Sequence, residues 1–107
     1  MTVEDYVTGS ELPGPNAVVL KQNYPNPFNP VTTIRYVLPA DRHVLLQVFD
    51  VRGREIRRLV HGYVEAGEWS VVWDGSNERG DAVVSGVYFL RLQAGKESAV
   101  RKTILLQ

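Results

Sequence analysis

The side chains able to do chemistry in this 107-residue chain are few and scattered. Cysteine is absent, which removes thiolate nucleophiles, disulfides and sulfur-ligated metals. The two histidines, His43 and His61, stand at a strand start and in a turn beside Gly62. Neither lies in a serine or carboxylate pattern of the kind a catalytic triad uses, and both read as exposed and non-catalytic. Glu65 and Glu68 bracket a turn and could face a sugar, but paired carboxylates act only inside a cleft, and nothing in the sequence builds one. The loop DGSNERGD offers oxygen donors at Asp74, Ser76, Asn77 and Asp81 of the kind calcium accepts. It lacks the central glycine and the twelfth-position glutamate of an EF-hand loop, and a hairpin of Asx turns is the preferred reading. The same loop spells Arg79-Gly80-Asp81, a tripeptide too short to carry a cell-adhesion function. No cofactor and no catalytic residue are assigned.

Groups suited to recognition are better represented. Trp69 and Trp73, with Tyr63, raise the possibility of stacking on sugars. Trp69, Val71 and Trp73 alternate along GEWSVVW, however, so one strand face holds all three, and both tryptophans are expected in the core. Arg52, Arg54, Arg57 and Arg58 gather around one hairpin, either as a solvated face or as a site for an acidic glycan or acidic protein surface. Twelve basic residues balance twelve acidic ones, which removes any general attraction to nucleic acid. No apolar run is long enough to span a bilayer.

The elements that must carry these groups follow a period of two. AVVLKQ opens the series. In TTIRYVLP, Ile34, Tyr36 and Leu38 share one face; in HVLLQVFDV, Val44, Leu46 and Val48 alternate with Leu45, Gln47 and Phe49. DVRG reads as a turn closed by Gly53. In EIRRLVHGYV the apolar pair Ile56 and Leu59 is three apart, which a regular strand cannot place on one face and a β-bulge can. GEWSVVWDG, GVYFLRLQAG and ESAVRKTILLQ complete about seven strands, the last two joined at Ala94-Gly95-Lys96. The pattern predicts an all-β, immunoglobulin-like antiparallel sandwich. Residues 1–16 are acidic and rich in turn formers, and read as a linker from a longer protein ahead of a domain at 17–107.

The segment YPNPFNP (Tyr24, Pro25, Asn26, Pro27, Phe28, Asn29, Pro30) can be neither helix nor central strand, because proline lacks an amide proton and fixes φ. It is expected to be a rigid corner with Tyr24 and Phe28 plugging an open end of the sandwich. In its setting, LKQNYPNPFNPVTTIRYVLP, the segment resembles the opening of the carboxy-terminal sorting domains of the type IX secretion system, which share a pattern with the Ig-like domain of the flagellar hook-capping protein. The resemblance continues through DVRGREI (with Gly53), GEWSVVWDG (Trp73, Asp74, Gly75), SGVYFLRL (Gly86, Tyr88) and RKTILLQ, and covers about Val19 to Gln107. Ile56 stands where valine is common, and Leu45 and Leu90 put apolar groups at positions often polar, a hint of a contact surface.

The resemblance implies a non-enzymatic sorting and cell-surface attachment domain of a larger secreted protein. Its partners would be the type IX translocon and attachment machinery, with surface glycan or lipopolysaccharide as a further possibility, and its location the outer-membrane surface or the medium of Bacteroidetes-like bacteria. The recognition signal would fall on the terminal strand, at Arg101, Lys102, Ile104, Leu105 and Leu106. Alternation with Ile104 and Leu106 inward puts Leu105 outward, and a terminal strand at a sheet edge would leave backbone groups open for a partner strand or a dimer. The alternative is a carbohydrate- or protein-binding Ig-like accessory module, or a spacer, of a multidomain extracellular enzyme.

Overall fold

The alternation read in TTIRYVL is realised without a slip. In the computed structural model, which describes residues 17–107, Thr32, Ile34, Tyr36 and Leu38 are buried along one face of a strand, while the residues between them are half-buried or exposed. The linker expected at residues 1–16 lies outside the described residues. Seven strands form in chain order: β1 (Val19–Leu20), β2 (Thr32–Leu38), β3 (Arg42–Phe49), β4 (Glu55–Val64), β5 (Gly67–Trp73), β6 (Gly86–Ala94) and β7 (Glu97–Leu105). All pairings are antiparallel, in a three-stranded sheet ordered β1-β2-β5 and a four-stranded sheet ordered β4-β3-β6-β7. The all-β, Ig-like sandwich is the observed architecture.

The core lies between the sheets. Ile34, Tyr36 and Leu38 of β2 and Trp73 of β5 face Val44, Leu46 and Val48 of β3 and Tyr88, Leu90 and Leu92 of β6. Leu90 is thus fully buried, which corrects its reading as a surface group, while Leu45 on the opposite face of β3 is half-buried. Phe28, Trp73 and Tyr88 make an aromatic row, with centroids 5.4 Å apart for the first pair and 5.5 Å for the second, edge to face. Such geometries favour ring pairs beyond the area they bury. The polar tips of the row are satisfied: Trp73 Nε1 donates to the Ser76 carbonyl at 2.9 Å, and the Tyr88 hydroxyl donates to the Val84 carbonyl at 2.6 Å. The latter is the tyrosine corner common in Ig-like sandwiches.

Two local devices read from sequence take their expected form. At the β3–β4 turn, Asp50 Oδ1 accepts from the amides of Arg52 and Arg54 at 2.9 and 3.0 Å, and Gly53 takes a φ of 82° that side-chain-bearing residues rarely adopt. In β4 the register steps from Leu46–Val60 to Gln47–Arg58, then from Val48–Arg57 to Phe49–Glu55. The extra residues are Leu59 and Ile56, so two irregularities let both pack against the core. His61 sits inside β4 rather than in a turn, because β4 runs straight through Gly62.

Candidate functional site

β7 is the outer strand of its sheet, paired with β6 from Gly86–Leu105 to Ala94–Glu97. Its free side is where a partner strand was expected, yet from residue 102 onward another part of the chain occupies it. The Phe28 amide donates to the Ile104 carbonyl and the Leu106 amide to the Phe28 carbonyl, each at 2.9 Å. The Ile104 amide reaches Asn26 Oδ1 at 3.0 Å, and Gln22 Nε2 donates to the Lys102 carbonyl at 3.0 Å. The proline-rich segment therefore straps the terminal strand. Its other end is sewn to β2 by reciprocal amide–carbonyl bonds between Tyr24 and Thr33, so one short segment closes the seam between the two sheets.

Proline chemistry explains why this segment can do so. Lacking amide protons at positions 25, 27 and 30, it offers few main-chain donors; Asn26 accepts through its side chain, and Asn23 just ahead of the segment donates through its own. Asn23, Thr32 and Thr103 are all buried and form one polar knot. Asn23 Nδ2 donates to Thr103 Oγ1 at 2.6 Å and to Thr32 Oγ1 at 2.9 Å, while the Thr32 hydroxyl donates to the Pro25 carbonyl at 2.8 Å. Thr103 Oγ1 also lies 3.3 Å from Asn26 Oδ1. Buried polar groups persist only when paired in this way.

The knot decides which way the terminal strand faces. Thr103 points inward to meet Asn23, and by alternation Leu105 follows it into the core. Leu106 is 52% exposed and Ile104 half-buried, the reverse of the expected polarity. A threonine reads as a surface residue in sequence, and only its distant partner makes it a core one. Leu105 also explains Gly75. At a φ of 76° a Cβ there would stand 3.1 Å from the Pro30 carbonyl oxygen and 3.6 Å from Leu105 Cδ2, so the Trp73-Asp74-Gly75 turn, the strap and the last strand meet at one contact. Arg101 Nε donates to the Leu20 carbonyl at 2.8 Å, Lys102 is exposed, and the Gln107 amide is held by Ser85 Oγ at 2.8 Å.

Other expectations divide. Phe28 is buried as the plug, but Tyr24 is 73% exposed, because its main chain follows β2 and turns its ring outward. Trp73 is core, whereas Trp69 is 40% exposed with Nε1 donating to the Glu65 carbonyl at 2.8 Å; β5 is the outer strand of its sheet, and Phe28 covers Trp73 but not Trp69. His43 and His61 stack on the outer face, centroids 5.9 Å apart. Glu68 is engaged by Lys21 at 2.7 Å, which holds its carboxyl below the usual range.

Three of the clustered arginines face acids. Arg54 Nε lies 3.0 Å from Asp50, Arg58 Nε 2.8 Å from Glu55 and Arg57 Nη1 3.6 Å from Asp74. The Asp50 carboxyl is lowered chiefly by the Arg54 amide, Glu55 chiefly by Arg58, and Asp74 chiefly by the Ser76 hydroxyl. In the DGSNERGD loop, Asn77 Oδ1 accepts from the amides of Arg79 and Asp81 at 2.9 and 3.1 Å, and Asp74 Oδ1 from the Ser76 amide at 3.1 Å. These oxygens thus serve the loop's own donors. Among the described residues no group of three or more histidines or carboxylates is placed to hold a metal ion.

Residues 30–98 match the FlgD Ig-like domain family. The chain belongs to that family. No curated protein matches. Among solved structures, dimeric latent PorU from Porphyromonas gingivalis has a TM-score of 0.69 at 18% identity, over 90% of this chain and 10% of PorU. PorZ, a surface component of the type IX secretion system of the same bacterium, has 0.58 at 24%, over 82% of this chain and 11% of PorZ. FlgD from P. aeruginosa has 0.58 at 21%, over 81% and 67%. The chain spans about a tenth of PorU and PorZ, and at these identities the likeness is one of fold. The family match covers β2 to β6 and the start of β7; Tyr24 to Asn29 of the strap and the rest of β7 lie outside it.

Proposed function

We propose that this is a non-enzymatic carboxy-terminal sorting and surface-attachment domain, which addresses a larger secreted protein to the type IX translocon and leaves it at the outer-membrane surface or in the medium. The observation that carries the reading is the docking of the proline strap on the terminal strand, Phe28 on Ile104 and Leu106. It joins two motifs from opposite ends of the domain, and these are the parts beyond the FlgD Ig-like match. PorZ, by name a surface component of that secretion system, shares the fold.

In this reading the signal is a surface held in shape rather than a loose peptide. Leu105 and Thr103 anchor the strand from inside, Arg101 ties it to β1, and Lys102, Ile104 and Leu106 are the groups left to be read. Residues 17–107 fused to a periplasmic reporter, in a bacterium with type IX secretion, should deliver the reporter to the surface or medium, and removal of residues 103–107 should trap it in the periplasm. Export that survives the truncation, or that does not need the translocon, refutes the proposal.

A second reading is a binding module of a multidomain extracellular protein. It is favoured by the exposure of Trp69 and Tyr63, 40% and 72%, which leaves aromatic surface for a glycan. A tryptophan emission shift on adding polysaccharide, lost in Trp69→Ala, would support it; an unchanged spectrum would remove it.

A further inference from the structure

The four outer strands of the two sheets are not protected alike. β7 is strapped at residues 102–106, β1 is two residues long, and β4 is broken by its register shifts and has its Arg58 amide taken by Glu78. β5 differs. It pairs with β2 without a slip over all seven residues, from Thr32–Trp73 to Leu38–Gly67. The amides and carbonyls of β2 that face β1 and the strap belong to Thr33 and Arg35. Those of Ile34 and Tyr36 therefore face β5, where they meet Val71 and Trp69. By the same alternation the main-chain groups of Glu68, Ser70 and Val72 point away from the sheet, and among the described residues none of them meets another main-chain group beyond the strand. The strand is regular in register, β-prone and apolar but for Glu68 and Ser70, and its one acidic gatekeeper, Glu68, is paired with Lys21. An edge of this kind is a template for another strand.

We infer that β5 pairs with β5 of a second copy of this chain, antiparallel about a two-fold axis at Ser70. Self-pairing suits the edge better than an unrelated strand because the sequence is complementary to its own reverse. With Ser70 opposite Ser70 of the other copy, Glu68 falls opposite Val72, so the like charges stay apart, and all three outward residues meet in hydrogen-bonded positions. On the inner side Trp69 falls opposite Val71 and within diagonal reach of its own counterpart. Trp69 is 40% exposed in the single copy, and tryptophan is among the side chains most favoured as interface anchors. The chain's net charge of zero adds no long-range repulsion. The product is a continuous six-stranded sheet, β1-β2-β5 followed by its symmetry mate. This inference does not depend on the sorting function.

The test uses the full chain in light scattering and sedimentation from about 10 μM to about 1 mM, the range of small interfaces. A monomer–dimer equilibrium is expected, with the amides of Glu68, Ser70 and Val72 gaining exchange protection as concentration rises. Ser70 is exposed, so Ser70→Lys and Ser70→Glu keep the fold, checked by circular dichroism. Each variant alone places like charges opposite one another and should weaken the dimer at least about tenfold, while an equimolar mixture should restore it. Wild type that stays monomeric at about 1 mM overturns the inference and leaves the edge to a different protein. A dimer indifferent to both substitutions, or a mixture no better than its components, overturns the Ser70 axis.

Discussion

Replacing Phe28 by alanine tests whether the strap is structural. The ring is 2% exposed and packs on Trp73 at 5.4 Å. Truncating a buried phenylalanine costs about 3–5 kcal/mol in transfer and cavity terms, and the Trp73 contact belongs to the geometry that adds about 0.5–1.5 kcal/mol in aromatic pairs. A domain of this size has a total stability of about 5–15 kcal/mol, so the variant should fold but barely. At about 4–8 °C per kcal/mol, a loss of at least 3 kcal/mol lowers Tm by at least about 12 °C. The main-chain bonds of Phe28 to Ile104 and Leu106 survive the substitution chemically but lose their anchor, so the Leu106 amide should exchange faster relative to the β3 and β6 amides. Denaturant melts give the first quantity and hydrogen exchange by NMR the second. A loss below about 1 kcal/mol would show that the ring is not the plug described, and an unchanged Leu106 amide would show that the strap is held by its polar knot alone.

Gly75→Ala should cost about 1–3 kcal/mol, because alanine at a φ of 76° is strained and its methyl would crowd the Pro30 carbonyl at 3.1 Å; a neutral melt would refute the contact. Tyr88→Phe removes the hydroxyl that donates to the Val84 carbonyl and should lose about 1 kcal/mol, read as a lower urea midpoint at unchanged m-value. Stability should also fall at both ends of the pH scale. Asp50, Glu55, Glu68 and Asp74 have lowered native pKa values against ordinary ones of 3.8 and 4.5, so their contribution is complete above those values and is lost as pH falls through the native ones. Tyr36 and Tyr88 are raised above 10.0, by burial foremost, so their contribution is complete below pH 10 and is lost as pH rises through the native values. Melts at fixed ionic strength from acid to alkali check both arms, and a profile flat below pH 4 would contradict the ion pairs.

Much of the architecture was legible along the chain, because a sandwich strand declares itself by local alternation. The β2 and β3 faces, the bulge at Ile56 and Leu59 and the Asp50–Gly53 turn all depend on neighbours within a few residues. The missed assignments have more than one cause. Leu105 and Leu106 take their orientation from Thr103, which meets Asn23 80 residues away, and Tyr24 turns outward because its main chain pairs with Thr33 of β2. Leu90 was misplaced by a comparison of positions that ran against its own alternation with Tyr88 and Leu92, and Trp69 because alternation does not say what covers an outer strand.

Composition, period and turn chemistry by themselves determined that this chain is an all-β domain of about seven strands, without thiol chemistry and without net charge, and that YPNPFNP stands outside the regular ladder. Tertiary structure alone decided where that segment goes. Proline only forbids; it removes the donors that would place the segment in a sheet and leaves open what its remaining carbonyls and the asparagine side chains will bind. The choice of the terminal strand's outer side follows from Asn23 meeting Thr32 and Thr103 in the core, a contact between residues that no local pattern connects. The same closure strapped β7 and left β5 as the regular open edge, since a strand is protected or exposed by what lies beside it rather than by its own residues.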